Sequence, residues 1–499
     1  MSENGIELAA AVPPPSGSSS NGDTDVSVDG RIVQLSDIIV HEMSASRVPR
    51  PPRPEIYRVP AMFLAADKGA YQPRFLSLGP YHRGDSATED MRRADERKPG
   101  NLDFALSDKD GERGGPPVEE YMKAVASMEA AARRFYDRDV TMEWGAFCRM
   151  LLLDGFQLIT LLESYGSADE PPPAAGAGGN NKDGCRPRTC VLSSIGHDLM
   201  MLENQIPFFV VEKLYGLRYG QLQDVVAASG RTGRTVAELA WTTIRRMIMN
   251  DDVPAASSGP PDKCLHLVHL CHVYLKPSNL KESLPDKCPR DREYGRFRRA
   301  TEYHEAGVKF RQMYSCKDGG SPQCPLLDVS FSNGVLRMAR HRVDEKTNYI
   351  LRNVLAYEQR YIGTATDGAT GYVAAYVVFM SQLLGSPEDV ALLSRRGVIE
   401  HHLGNDGELC ALFRGLAEGL AFDPSSGHYL NAVGVKLRAH YRSRIHRWRA
   451  WVVRRYFGNP CLAAAWVFGA MAVLGTILQT AIAILVYVNQ GRGPTRNIA

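Results

Sequence analysis

The stretch "LSSIGHDLMMLENQIPFF", residues 192–209, decides the fold class. Leu192, Ile195, Leu199, Leu202 and Ile206 recur at steps of three and four, the spacing that lays one apolar stripe along an α-helix. Pro207 lacks an N–H and its ring clashes with the preceding turn, so a break is forced close by. If Asn204 caps a second helix, Pro207 falls in that helix's first turn, where a missing donor costs nothing. Similar stripes run over Met150 to Leu162, Val236 to Met249 and Ile350 to Tyr361, whereas β-like runs such as "LLDVSF" (Leu326 to Phe331) are few. The pattern predicts a mainly α-helical globular body with minor β content.

Outward from that stretch, the 499 residues are enough for one large or two medium cores. Residues 1–34, with "PPPSGSSSNGDTD", are too poor in apolar surface to offset chain entropy and read as a disordered leader. The helical body is expected over 38–457, interrupted by flexible insertions near 166–188 ("EPPPAAGAGGNNKDG") and 251–262 ("DDVPAASSGPPD"). No repeat of fixed period is visible.

From Cys461 to Val488 no residue is charged. A helix of that length reaches roughly 42 Å, more than the ~30 Å hydrocarbon core of a bilayer, and Gln479 is a small interruption beside a charge. The reading is one C-terminal transmembrane helix over 461–488 and a short tail over 489–499. Before it, Leu437, Tyr441, Ile445, Trp448, Val452 and Tyr456 follow helical spacing while eight Lys and Arg fill the other faces, which predicts a basic amphipathic helix over 436–455. Each such charge contributes about 1 kcal/mol beside an anionic leaflet, so membrane lipid is an expected partner of both segments. Eight basic residues precede the span against two, Arg492 and Arg496, after it, which holds the body in the cytosol by the positive-inside rule. The expected topology is single-pass and tail-anchored, in the plasma membrane or an endomembrane.

Charge is unevenly placed. The formal net of +3 conceals residues 1–423, which carry 49 basic against 56 acidic side chains, and a C-terminal region with ten Lys and Arg and no acid. An acidic body disfavours nucleic acid as a partner. Ten scattered cysteines and no N-terminal hydrophobic signal segment fit a reduced compartment.

Three motifs could carry chemistry. "LENQIPFF" sets Glu203, Asn204 and Gln205 among apolar neighbours, either as helix-capping groups or as a polar cleft. In "LRNVLAYEQ", Leu351, Val354, Leu355 and Glu358 share a face, so the Glu358 carboxylate needs a partner such as an arginine or a set of N–H donors; Arg352 stands in the same motif. "LGPYHRG" reads as a Gly79–Pro80 turn presenting Tyr81 and His82. "CLHLVHLCH" (264–272) has enough donors for zinc, but its spacing cannot bring Cys264, His266, His269, Cys271 and His272 to one point, so no metal is expected. Nucleotide-binding, nucleophile-elbow and zinc-protease signatures are absent, and no cofactor or catalytic residue is assigned.

Seven pieces in order resemble the plant "domain of unknown function 247" family: "IYRVPAMFLAADKGAYQPRFLSLGPYHRG" (56–84), "MLLLDGFQLITLLE" (150–163), "HDLMMLENQIPFFVVEKLY" (197–215), "EAGVKF" (305–310), "LLDVSFSNGVL" (326–336), "LRNVLAYEQ" (351–359) and "YFGNP" before the span. Where this chain has Phe156 and Cys461 the family often has Cys and Trp. The resemblance implies a plant protein with one C-terminal membrane segment and brings no established reaction, cofactor or active site; some grass members are associated with pollen and stigma self-recognition. The expected function is that of a membrane-anchored, non-enzymatic interaction or recognition protein with an unknown protein partner. The alternative is a membrane-tethered enzyme using Glu203, Glu358 or His82.

Overall fold

The run "WGAFCRMLLLDGFQLITLLESYG" is apolar on nearly every face, so a helix formed from it needs cover all round. The computed structural model describes residues 36–40, 54–84, 88–107, 116–137, 140–166, 188–229, 235–249, 259–278, 280, 296–313, 325–360, 371–423, 428–443 and 460–490, and there this run is a helix, Trp144–Gly166, whose most apolar stretch is largely buried. By contact the chain divides into Met1–Arg53, of which 36–40 are helical, and Pro54–Ala499, which holds the elements below. The leader, most of both insertions and residues 491–499 lie outside the described residues.

In chain order the helices of the first half are α1 (Ala61–Ala66), α2 (Glu89–Leu106), α3 (Val118–Arg133), α4 (Trp144–Gly166), α5 (Arg188–Leu199), α6 (Phe208–Ser229) and α7 (Val236–Met249). The covering of α4 is done by α2, α3, α6 and α7, and at Gly155 the closeness of α6 is such that a Cβ would meet Leu214 Cδ1 at 2.4 Å. Then come α8 (Leu267–Tyr274), α9 (Ala300–Glu305), β1 (Lys309–Gln312), β2 (Val329–Ser332), β3 (Val335–Met338), β4 (His341–Val343), α10 (Glu345–Gln359), α11 (Tyr372–Leu383), α12 (Pro387–Arg395), β5 (Ile399–His401), α13 (Asp406–Ala417), α14 (Asn431–Arg442) and α15 (Pro460–Gln490). A mainly helical body with few strands is what the periodicity predicted.

The strands form two small sheets. One has order β1-β3-β2, with β1 parallel and β2 antiparallel to β3; the other pairs β4 with β5 in parallel. Between β2 and β3, Ser332 pairs with Val335 and the two residues between them, Asn333 and Gly334, have φ of 51° and 74°. That is the left-handed geometry a tight hairpin needs, and Asn-Gly is its commonest sequence. Buried His341 on β4 lies with its ring centroid 5.8 Å from Tyr376 and 5.9 Å from Phe413; burial pushes its imidazole down to about 4, so it is neutral in the core.

Two expectations are corrected. The stripe from Leu192 to Ile206 is not one helix: α5 stops at Leu199, and Leu202 and Ile206 are buried in the turn and extended chain that follow. The basic helix predicted over 436–455 starts earlier, at Asn431, and stops at Arg442, because Ser443 takes extended backbone (φ −66°, ψ 115°). Residues 444–459 lie outside the described residues. Leu437 is buried and α14 packs on β2, so the start of the basic stretch is part of the body. By contrast α15 is exposed at every described side chain, 464–488, and is long and apolar enough to cross a membrane. Its Thr476 and Thr480 hydroxyls donate to the carbonyls one turn back (2.9 and 2.8 Å), which satisfies them without water.

Candidate functional site

The segment Arg74 to Gly79 belongs to no helix or strand, yet residues 76–79 are buried and their N–H groups need acceptors. Side chains supply them. Asp198, at the end of α5, accepts from the N–H groups of Arg74, Phe75 and Leu76 at 2.7–2.8 Å. Asn204 Oδ1 accepts from Leu78 (2.6 Å), and Asp154 Oδ2, on α4, accepts from Gly79 (2.8 Å).

Asp154 is fully buried, and two cations share it. Lys98 Nζ from α2 reaches Oδ1 at 2.6 Å and also donates to the Ser77 carbonyl at 2.6 Å; Arg83 Nη2 reaches both oxygens at 2.6 and 2.7 Å. Burial by itself would raise the carboxyl, but Lys98 and Arg83 outweigh it and hold it below the usual carboxylate range. Lys98 and Arg83 also meet Asp95, at 2.5 and 3.3 Å.

Gln205 joins two helix ends. Its Nε2 donates to the carbonyls of Leu199 and Met201 (both 2.8 Å) where α5 finishes, while Oε1 accepts from the Leu267 N–H (2.9 Å) where α8 begins. These are the groups a helix terminus leaves unpaired. Asn204 Nδ2 likewise takes the Asp198 carbonyl (2.9 Å). The capping is thus real but differs from expectation: Asn204 does not cap the next helix, since α6 starts after Pro207 and its first N–H, Phe208, donates to the Leu265 carbonyl at 2.8 Å.

Glu203 Oε1 accepts from the Val59 N–H (2.7 Å); Oε2 lies 3.5 Å from His82 Nε2 and 3.9 Å from Arg58. Burial, with Arg58 adding to it, pushes His82 down to about 4. The Tyr81 hydroxyl donates to the Ile56 carbonyl (3.1 Å) and accepts from the Asp137 N–H (2.8 Å), so the turn is packed inward. Tyr81, His82, Glu203, Asn204 and Gln205 therefore belong to one buried polar junction. Arg352 and Glu358 stand apart from it on α10. Arg352 Nε donates to Asn348 (2.9 Å) and lies 3.6 Å from Asp67.

Glu358 has found N–H donors, not an arginine. Its oxygens accept from Val373 (3.0 Å) and Ala374 (2.7 Å) in the first turn of α11, and His272 Nε2 is 3.1 Å away. A carboxylate at a helix N-terminus is favoured by the unpaired donors and the dipole. Glu358→Gln is expected to weaken this joint by about 2 kcal/mol, a hydrogen bond to a charged group being worth roughly 1.5–3 kcal/mol. An unchanged thermal midpoint of the full-length variant would show that α10 and α11 hold together without it.

In "CLHLVHLCH", His266 caps α8 by accepting the His269 N–H at 3.3 Å, and among the described residues no three His, Cys, Asp or Glu are grouped to hold a metal. Sequence reasoning passed over Asp154, Asp198, Lys98 and Asn353. Asn353 Oδ1 accepts from Leu202 (2.9 Å) and its Nδ2 donates to the Ala70 carbonyl (2.8 Å). For Asp154, Asp198 and Asn353 the signal was a polar residue in or beside an apolar run, as in "LLLDG" and "HDLMM"; Lys98, in "ADERKPGN", carried no such signal.

It also passed over a cleft of about 790 Å³ between the residues leading into α9 and the end of α14. Arg296, Arg298 and Arg299 line one side and Arg438 and Arg442 the other, with Glu302 the single acid among the described lining residues. Phe297, Tyr303 and Tyr441 give it aromatic walls; Phe297 is held by its N–H donating to Gln382 (2.7 Å) and by the bare face of Gly434, where a Cβ would sit 3.2 Å from the ring. None of the seven residues singled out by sequence lines this cleft.

A family model described as a plant protein of unknown function, DUF247, matches residues 56–475. The UPF0481 protein At3g47200 of Arabidopsis thaliana is 26% identical over 453 residues, which cover 88% of this chain and 88% of that protein. The putative UPF0481 protein At3g02645, also from Arabidopsis thaliana, is 23% identical over 186 residues, 37% of this chain and 31% of that one. No solved structure matches the chain.

Proposed function

Because the chain belongs to the DUF247 family of plant proteins of unknown function, we propose that it is a membrane-anchored protein whose helical body works by engaging another protein and not by catalysis. The observation that carries the anchor is α15, whose described side chains from 464 to 488 are all exposed and uncharged, and apolar for the most part, with Gln479 the one amide among them, a surface that water does not tolerate at this length. A helix of similar length, α4, meets the same apolar criterion but is buried in the core. Eight basic residues before α15 against two after it favour a cytosolic body.

The non-catalytic reading is supported by how the polar residues are employed. Glu358 accepts backbone N–H groups with both oxygens and Glu203 with one, its other oxygen facing His82 and Arg58, and the large described cleft contains neither glutamate nor His82. In microsomes washed with alkaline carbonate, the full-length protein is expected to stay in the pellet, and with sealed cytosol-side-out vesicles a tag at the N-terminus is expected to be digested by added protease. Recovery in the carbonate supernatant would reject the anchor; a protected N-terminal tag would reverse the orientation.

A further inference from the structure

We propose that the arginine-lined cleft between α9 and α14 binds the phosphate groups of a multiply phosphorylated inositol headgroup presented by the membrane, an assignment that rests on the membrane-anchored reading above. Five arginines line one cleft in which Glu302 is the one carboxylate among the described lining residues. Arginine is the residue suited to such an anion: it stays charged, and its planar fork donates two parallel hydrogen bonds to a phosphate.

Two of the arginines, Arg298 and Arg299, are placed in advance of any ligand. Glu302 ties Arg298 (3.3 Å) and Arg299 (3.3 Å) to the face of α9, and the Arg298 guanidinium lies 5.0 Å over the ring of Tyr441. Tyr303, buried, accepts the Arg298 N–H at 3.1 Å and meets Tyr441 edge-on at 6.2 Å, so the two walls are joined through aromatic rings. A cleft of about 790 Å³ lies within the usual range of roughly 300–1,000 Å³ for small-molecule sites, and is larger than one phosphate needs. Low-dielectric aromatic walls strengthen the attraction to a charged headgroup.

Position favours a lipid source for that headgroup. Arg442 is 18 residues ahead of Pro460, where α15 begins. Even a fully extended chain of that length spans only about 60 Å, so the cleft is tethered close to any bilayer that α15 enters.

The test uses the full-length protein purified in uncharged detergent. Titrated with soluble inositol 1,4,5-trisphosphate and, separately, with mixed micelles carrying bisphosphorylated phosphatidylinositol, it is expected to bind both, the lipid form at least as tightly, and inorganic phosphate at least 100-fold more weakly. Arg299→Gln together with Arg438→Gln, one change from each wall, is expected to lower affinity for both by tenfold or more with the thermal midpoint retained. Arg296→Gln, at an exposed rim position, is expected to lower it by a smaller factor and guards against a double variant that misfolds. Affinity that ignores all three changes, equal affinity for inorganic phosphate, a preference for the soluble headgroup over the lipid, or tighter binding of an RNA duplex at the same ionic strength would each overturn the assignment. Because these titrations need no bilayer, their failure is distinct from release by carbonate, which speaks to the anchor alone.

Discussion

Replacing Asp154 by alanine is expected to lower the thermal midpoint of the full-length protein in neutral detergent by about 5 °C. Removing one partner of a buried ion pair typically costs roughly 3–5 kcal/mol, because the other charge is left in the interior. Here two cations lose their shared partner: Lys98, whose side chain is 1% exposed, and Arg83, at 23%. For a body of about 400 residues the unfolding entropy is about 0.8 kcal/mol/K, so ~4 kcal/mol appears as ~5 °C. The loss has a ceiling, since Lys98 and Arg83 both retain Asp95. Asp154→Leu combined with Lys98→Met removes the two most buried of the three charges, leaving Arg83 with Asp95, and is expected to recover part of it, because a well-packed apolar pair often equals a buried ion pair. A shift below about 1 °C for Asp154→Ala would mean that water already reaches the triad.

The second large effect is expected at Gly79. Its φ is +71°, and a Cβ there would sit 2.5 Å from the Gln205 carbonyl oxygen and 3.3 Å from the Tyr136 hydroxyl. The left-handed conformation alone costs a side chain roughly 1–2 kcal/mol. The clash adds to it by pushing the turn off the backbone of "LENQ" and lengthening the 2.8 Å bond from Gly79 N–H to Asp154. Gly79→Ala is therefore expected to cost about 3 kcal/mol or more, or ~4 °C on the same scale. Gly84 separates the two contributions: its φ is +66° but no atom of the described residues lies within 4 Å of its would-be Cβ, so Gly84→Ala carries the conformational part only. Equal shifts at the two glycines would reject the close approach of the turn to Gln205.

Both predictions concern residues that the sequence signalled unequally. "LGPYH" announced a turn at Gly79 and Pro80, and the turn is there, packed inward. Asp154 interrupts the apolar run "LLLDG", which marks it as buried, yet nothing local says that its partners are Lys98 and Arg83, 56 and 71 residues back along the chain. The same holds for Glu358: its periodicity placed it on a core face and demanded a partner, and only the fold reveals that the partner is the start of α11. The Asn333–Gly334 hairpin was readable from its dipeptide alone, and α5 ends at Leu199 although the apolar spacing continues, because Gln205 and Asn204 cap it from outside.

By itself, then, the chain's order of residues determined its helical class, its family and an uncharged C-terminal run long enough for a bilayer. Each is a property of neighbours along the chain: spacing of three and four, a series of short motifs, or the length of a stretch. Tertiary structure alone decided which polar groups meet. Asp198 serves backbone more than 120 residues away, Gln205 bridges two helix ends, and arginines from 296–299 join those at 438 and 442 around one cleft. Such meetings depend on how separate helices pack, and one-dimensional periodicity carries no record of the partner across the contact.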